Sequence, residues 1–406
     1  MQNLTVSLAD QYLVLFLRKQ GACMKLWAMI NRSTHLLLVT AIAVVISATP
    51  GRAMSHSHES AQASDYQPML RRTLRHDDIE REYFVHIPVG AIIGEAELPV
   101  VVAIHGYTST ATGFQAAHGL NRHADQHGYV VVYPQGSHFA AAGEQGRPGL
   151  ITSWNDLAAN LPRTTAGPHC TDNSAPYPCP PECGDCAPCA WTSCHDDLGF
   201  FGKMLDAIQA EFPVDSDRIY VLGVSAGGMM TLRLGCNLSD RFAAAAPIIG
   251  QLAPGHACGP QTDLPMLHLF GGRDEVVRYD GKAGSADGFI YTSAAETAEK
   301  WAAAMACKTG PQAWRNEISE QAGLTCTAYG DCRIEGQEVV SCMDPDGGHS
   351  WPEQGFRGMP ATCVTAEQFD SLPDQPRCGP ATGEYQHQGM DLIWSFLSQY
   401  QRAAAR

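Results

Sequence analysis

Residues 218 to 232 read Arg-Ile-Tyr-Val-Leu-Gly-Val-Ser-Ala-Gly-Gly-Met-Met-Thr-Leu, with Gly223-Val224-Ser225-Ala226-Gly227 at the centre. An apolar, β-branched run from Ile219 to Leu222 enters this G-x-S-x-G pattern, and a small-residue helix start leaves it. The chain must therefore pass from strand to helix at a serine whose hydroxyl projects above a sheet. Small residues two before and two after the serine let strand and helix approach without Cβ clashes. The bare pattern is weak in a chain of 406 residues with 39 Gly, so its context carries the weight. The plainer alternative is a Gly-rich turn with a helix-capping serine.

The rest of the chain alternates in the manner such an elbow requires. Residues 81 to 88 alternate as an edge-type, antiparallel strand. Residues 98–104, 129–133, 243–249, 266–270 and 338–343 read as strands, several of them continuous apolar runs suited to burial on both faces. Helical spacing covers residues 114–127, 198–212, 228–236, 294–306 and 388–401. This order predicts a mostly parallel α/β sheet with helices on both faces, in one domain over about residues 80–402.

The N-terminus reads as a targeting segment. Lys25 and Arg32 precede the apolar run Leu36 to Ala48, which ends in Thr49-Pro50-Gly51-Arg52-Ala53. A charged stretch, an apolar stretch and a small-residue exit predict a secretory signal over residues 1–53, with Met24 as the alternative start. An uncleaved signal anchor is the competing reading. Residues 54–79 read as a polar leader, His- and Ser-rich over 54–66. Residues 1–53 hold five of the 27 Lys/Arg and one of the 42 Asp/Glu; without them the formal charge is −19. That surface repels nucleic acid and anionic membranes, and no basic run supports a nucleic-acid role.

Of fifteen cysteines, Cys23 lies before or within the signal region. The fourteen that remain read as up to seven disulfides in an exported chain. Six crowd together: Cys170, Cys179, Cys183, Cys186, Cys189 and Cys194. Their spacing also resembles a metal knuckle, so a structural zinc is the rival. Export, the five prolines between residues 176 and 188, and the absence of a helix pattern favour a disulfide-stapled insertion at about residues 137–195.

A serine nucleophile needs an imidazole oriented by a carboxylate. After Ser225 only His256, His268, His349 and His387 remain. His349 lies in a Gly-opened, Pro-closed loop (Asp346-Gly347-Gly348-His349-Ser350-Trp351-Pro352) just past a strand, where a rigid scaffold can hold it. His268 falls inside an apolar strand and reads as a core histidine. Asp274 follows another buried strand in Gly271-Gly272-Arg273-Asp274-Glu275, at the sheet edge where open α/β sheets bind ligands. Two backbone N–H donors must face the developing oxyanion. Ala226 supplies one; Tyr107, after Ile104-His105-Gly106, is the choice for the other, although its side chain could instead wall the pocket.

Ile104-His105-Gly106, Tyr133-Pro134-Gln135-Gly136, Asp196-Asp197-Leu198-Gly199-Phe200, the elbow, Phe242-Ala243-Ala244, Gly272-Arg273-Asp274 and Gly347-Gly348-His349-Ser350-Trp351-Pro352 occur in order from about residue 80 to 400. Together they resemble the secreted polyhydroxybutyrate depolymerases and feruloyl and acetylxylan esterases of the α/β-hydrolase fold. The resemblance implies a Ser225–Asp274–His349 triad, an acyl-enzyme, an ester substrate and no cofactor or catalytic metal. It also implies that Cys307 pairs with Cys332 or Cys342. The Cys-rich insertion and an enlarged stretch from Glu353 to His387 depart from the family pattern and bear on the pocket. Trp154, Trp191 and Trp351 are candidate pocket residues, with buried packing the favoured role for Trp154 and Trp191. A serine peptidase on the same fold and a non-catalytic Cys-rich binding protein are the alternatives. Sequence does not give the oligomeric state.

Overall fold

The computed structural model describes residues 68–89, 97–142, 148–156, 163–164, 167–174, 177–186, 189–255, 259–260, 263–350, 362–379 and 388–402. The signal region, most of the polar leader, and Trp351 lie outside them.

Strands comprise β1 (Leu70–His76), β2 (Ile79–His86), β3 (Leu98–Ile104), β4 (Val130–Pro134), β5 (Ser137–Ala142), β6 (Pro148–Ser153), β7 (Arg163–Thr164) and β8 (Gly167–Pro168). They continue with β9 (Val214–Val224), β10 (Ala244–Ile248), β11 (Met266–Gly271), β12 (Thr309–Ala313), β13 (Thr325–Gly330) and β14 (Val339–Asp344). Helices are α1 (Ala111–His118), α2 (Leu120–His127), α3 (Asp197–Glu211), α4 (Ala226–Asn237), α5 (Ala294–Ala304), α6 (Glu317–Gln321) and α7 (Gln388–Leu397).

Ten strands form one sheet in the order β1-β2-β4-β3-β9-β10-β11-β14-β13-β12. The six from β4 to β14 are parallel. Antiparallel pairs close both edges. Alternation along each buried strand divides the core. Val100 and Val102 face one apolar layer with α3, α4 and α5. Val101 and Ala103 face the other, beneath α1, α2 and α7. Strand order reverses between β3 and β9, which makes their C-terminal ends the ligand-binding crevice of such a sheet.

Several sequence expectations change. The strand at residues 81–88 is not an edge; β1 covers it, and residues 81–86 are buried. The single helix expected over 114–127 is two, broken at Gly119, whose φ of 58° lies in the left-handed region. The Cys-rich insertion is less irregular than its composition implies, for β5 and β6 form a full hairpin.

Its six clustered cysteines form Cys170–Cys189, Cys179–Cys186 and Cys183–Cys194. These sulfurs are therefore spent in disulfides rather than held as zinc ligands. Cys307 pairs with Cys332, while Cys342 pairs with Cys326 and joins β13 to β14. The base of the insertion is fastened by Arg81, which donates to Asp197 Oδ1 at 2.6 Å, both side chains being at most 1% exposed. The other Asp197 oxygen accepts the Asn155 N–H at 2.6 Å. A second strap, residues 362–379 with Cys363–Cys378, docks on α1 through Gln368, whose Oε1 accepts from the Thr112 N–H and hydroxyl. Among the described residues no helix is long and apolar enough to cross a membrane.

Candidate active site

Ser225 joins β9 to α4 with φ 58° and ψ −122°, a region that a non-glycine residue rarely occupies. Its surroundings enforce the turn. A Cβ at Gly223 would lie 2.2 Å from Gly227 O, and one at Gly227 would lie 2.2 Å from Ile104 O. Both contacts are with backbone, so neither neighbour can swing aside. Inside the turn, the Ser225 N–H donates to Ile248 O at 2.9 Å, and Ser225 O accepts the first helical bond, from the Met229 N–H.

The carboxylate and imidazole arrive from β11 and β14, neighbours in the sheet. The Gly272 N–H donates to Asp344 O and the Arg273 N–H to Gly347 O, each at 2.8 Å, locking the two loops together. A Cβ at Gly271 would meet Gly348 O at 2.4 Å, so this crossing also requires glycine. Three strand spacings, about 14 Å, separate the ends of β14 and β9. The loop after β14 first crosses the end of β11, where Gly347 O and Gly348 O lie against Arg273 and Gly271, and the His349 side chain reaches the elbow from there. His349 Nε2 comes to 2.9 Å from Ser225 Oγ, and its Nδ1 to 2.8 Å from Asp274 Oδ2.

Asp274 is 3% exposed, yet its oxygens are divided between two tasks. Oδ1 accepts the N–H groups of Val276 and Val277 at 2.8 and 2.9 Å, leaving Oδ2 for His349. An ionised carboxylate only accepts, so the ring proton sits on Nδ1 and the Nε2 lone pair faces the serine hydroxyl. In that tautomer the imidazole can take the serine proton.

Neither the Tyr107 N–H nor the Ala226 N–H donates to a described acceptor. Ala226 is the first residue of α4, whose leading N–H groups have no helical partner. Gly106 lies under the serine: a Cβ there would stand 3.4 Å from Ser225 Cβ. The Tyr107 side chain packs edge-on against Tyr177, with ring centroids 5.4 Å apart. Its buried hydroxyl has no partner among the described residues, and burial raises the phenol well above its usual range.

His105 and Gln135 belong to the sequence motifs, but only the fold shows what they do. His105 is fully buried, and its Nδ1 lies 2.8 Å from Gly106 O. The Gly136 N–H donates to its Nε2 at 3.0 Å, so Nδ1 carries the proton and donates to that carbonyl. Gly106 C=O and Tyr107 N–H belong to one peptide plane, so this bond aims the Tyr107 N–H. Desolvation lowers the His105 imidazole to about 4, keeping the ring neutral near neutral pH. Gln135 Nε2 also approaches His105 Nε2, at 3.2 Å, while Gln135 Oε1 accepts from Gln368 Nε2 at 2.5 Å. A chain of side chains thus runs from the C-terminal strap to the Tyr107 peptide.

Trp154 is not a pocket residue. It is fully buried, its indole N–H donates to His105 O at 2.8 Å, and its ring packs on Phe201. Trp191 is 6% exposed and stacks on Phe289 at 4.7 Å. It belongs to an apolar cluster with Met229, Val277 and Tyr291, which Tyr107 adjoins. The cluster sits between the insertion and the residues flanking Ser225 and Asp274. His268 is buried in β11, as expected of a core histidine.

A mostly parallel sheet, helices on both faces and a strand–serine–helix turn at the switch point define an α/β-hydrolase with a Cys-rich insertion. No family model matches the chain. It is 28% identical over 310 residues to a putative esterase, NocK, of Nocardia uniformis subsp. tsuyamanensis, covering 72% of this chain and 77% of that protein. It is 26% identical over 277 residues to feruloyl esterase B of Piromyces equi, covering 66% and 42% respectively. It is 28% identical over 172 residues to poly(3-hydroxyalkanoate) depolymerase C of Paucimonas lemoignei, covering 42% and 31%. The chain thus spans less than half the length of the last two. Among solved structures, an acetyl xylan esterase from Aspergillus awamori aligns with a TM-score of 0.44 at 16% identity, over 70% of this chain and 96% of that one. The relatives support a carboxylic ester hydrolase.

Proposed function

We propose that this chain is a secreted serine esterase that cleaves carboxylic esters through an acyl-enzyme on Ser225. The observation that carries the reading is the continuous Ser225–His349–Asp274 hydrogen-bond chain, 2.9 and 2.8 Å long, at the C-terminal edge of the parallel sheet. His349 Nε2 takes the hydroxyl proton as Ser225 Oγ attacks the ester carbonyl, and Asp274 stabilises the imidazolium. The Tyr107 and Ala226 N–H groups receive the oxyanion. His349 then returns its proton to the departing alkoxide, and a water activated by the same nitrogen releases the acid. No cofactor enters this scheme.

Six disulfides among the described residues fit an oxidising compartment and support export. The substrates proposed are hydroxyalkanoate oligomers or polymers, or feruloyl and acetyl esters of plant polysaccharide, as the relatives' names suggest. Rates of the purified mature chain on nitrophenyl esters of rising chain length, hydroxybutyrate oligomers and methyl ferulate test the proposal. Hydrolysis of at least one class, abolished in Ser225→Ala, is expected. Absence of turnover on all of them, or equal turnover by Ser225→Ala, would overturn it.

A further inference from the structure

Away from the triad, α2 and α7 bring together two histidines and a carboxylate that the esterase chemistry does not use. His123 and His127 stand four residues apart on α2, hence on one face of the helix. Asp391 comes from the first turn of α7. One donor atom from each lies within 4.8 Å of the other two. α2 runs into the start of β4, so His127 sits toward the N-terminal edge of the parallel strands, opposite the edge that carries Ser225.

We propose that His123, His127 and Asp391 form a binding site for a zinc-like divalent ion that staples α7 to α2. Two imidazoles and one carboxylate are a borderline donor set suited to zinc, with a fourth position open to water because His127 is exposed. Two donors about 2.0–2.1 Å from a tetrahedral ion stand about 3.3 Å apart. His123 Nε2 and Asp391 Oδ1 are 3.2 Å apart. The His127 ring stacks on His123 with centroids 4.0 Å apart, so a small rotation about its exposed side chain completes the set.

An outer partner is also present. The Tyr129 hydroxyl lies 2.8 Å from His123 Nδ1. With an ion on Nε2, Nδ1 carries the ring proton and donates it to Tyr129 Oη, fixing tautomer and ring orientation as outer groups do at metal-bound imidazoles. Trp394 of α7 stacks on Tyr129 at 4.3 Å and holds that ring in place. A plain Tyr129–His123–Asp391 hydrogen-bond chain accounts for two of the three residues but gives His127 no part.

The test is calorimetric titration of zinc into the chelator-treated mature protein, with thermal melting in parallel. The wild type is expected to bind one ion saturably and to melt at a higher temperature with zinc. H127A and D391N should each lose at least tenfold in affinity and most of that melting shift. His127 and Asp391 are not core residues, so both variants should melt like the wild type in chelator. They should also keep wild-type esterase rates, which separates this site from the reading of Ser225. No saturable binding by the wild type, or unchanged zinc binding by H127A and D391N, would overturn the proposal.

Discussion

Asn in place of Asp274 separates the orienting role of this side chain from its structural one. Oδ1 accepts two backbone N–H groups, from Val276 and Val277, at 2.8 and 2.9 Å. In Asp274→Asn the amide oxygen must stay there, because turning the amide would set its NH₂ against two donors at a cost of about 1–3 kcal/mol for each N–H left unpaired. The NH₂ then faces His349 Nδ1, 2.8 Å away, and donates to it. His349 is thereby forced into the Nε2–H tautomer, which points a proton at Ser225 Oγ and cannot accept one. The expected loss in kcat is about 10⁴-fold, the scale of a wrong-tautomer triad in another serine hydrolase, or about 5.4 kcal/mol. Folding should be nearly unaffected, because both backbone donors keep their acceptor. The assay is kcat on nitrophenyl acetate at neutral pH, paired with a melting curve. A variant that melts like the wild type yet keeps kcat within tenfold of it would refute the tautomer argument.

Further outcomes follow from the same geometry. His105→Phe removes the bond that aims the Tyr107 peptide; we expect kcat to fall about 10–100-fold with KM little changed, part of the cost of losing an oxyanion donor, measured by steady-state kinetics. Gly227→Ala forces a Cβ to within 2.2 Å of Ile104 O, and soluble expression with a melting curve should show gross destabilisation. Arg81→Met strands the buried Asp197 charge; urea unfolding should show a loss of about 3–5 kcal/mol. Burial holds His105 and His268 down to about 4, and His118 to about 3. Unfolded histidines bind protons near pH 6.5, so between there and pH 4 the unfolded chain holds more protons than the native one. Stability from these groups is therefore complete above about pH 6.5 and falls on acidification by about 1.4 kcal/mol per pH unit per histidine. Urea midpoints at pH 7, 6 and 5 test that slope.

The central strands were legible because burial on both faces demands continuous apolar runs, and β3 matches its expected range in full. Ser225, Asp274 and His349 were legible because each follows such a run within a few residues, and strand ends bring them together. The outer strands were not. β12, Thr-Gly-Pro-Gln-Ala, is exposed at all five positions, so no hydrophobic alternation marks it. Trp154 takes the buried-packing role that was favoured over pocket lining, but the partner of its N–H, His105 O, lies 49 residues away and no local pattern marks it. The same long-range character hid Gln368, whose bonds reach Thr112, Gln135 and Glu82 on three separate segments. Only the fold brings such groups together.

The proposed mechanism turns on covalent acylation of Ser225 Oγ. Intact-protein mass spectrometry after brief exposure to a fluorophosphonate, with peptide mapping, tests it most directly. One adduct per chain is expected, on Ser225, absent from Ser225→Ala and strongly slowed in Asp274→Asn. No adduct on a folded wild-type chain, or equal labelling of Ser225→Ala, would contradict it.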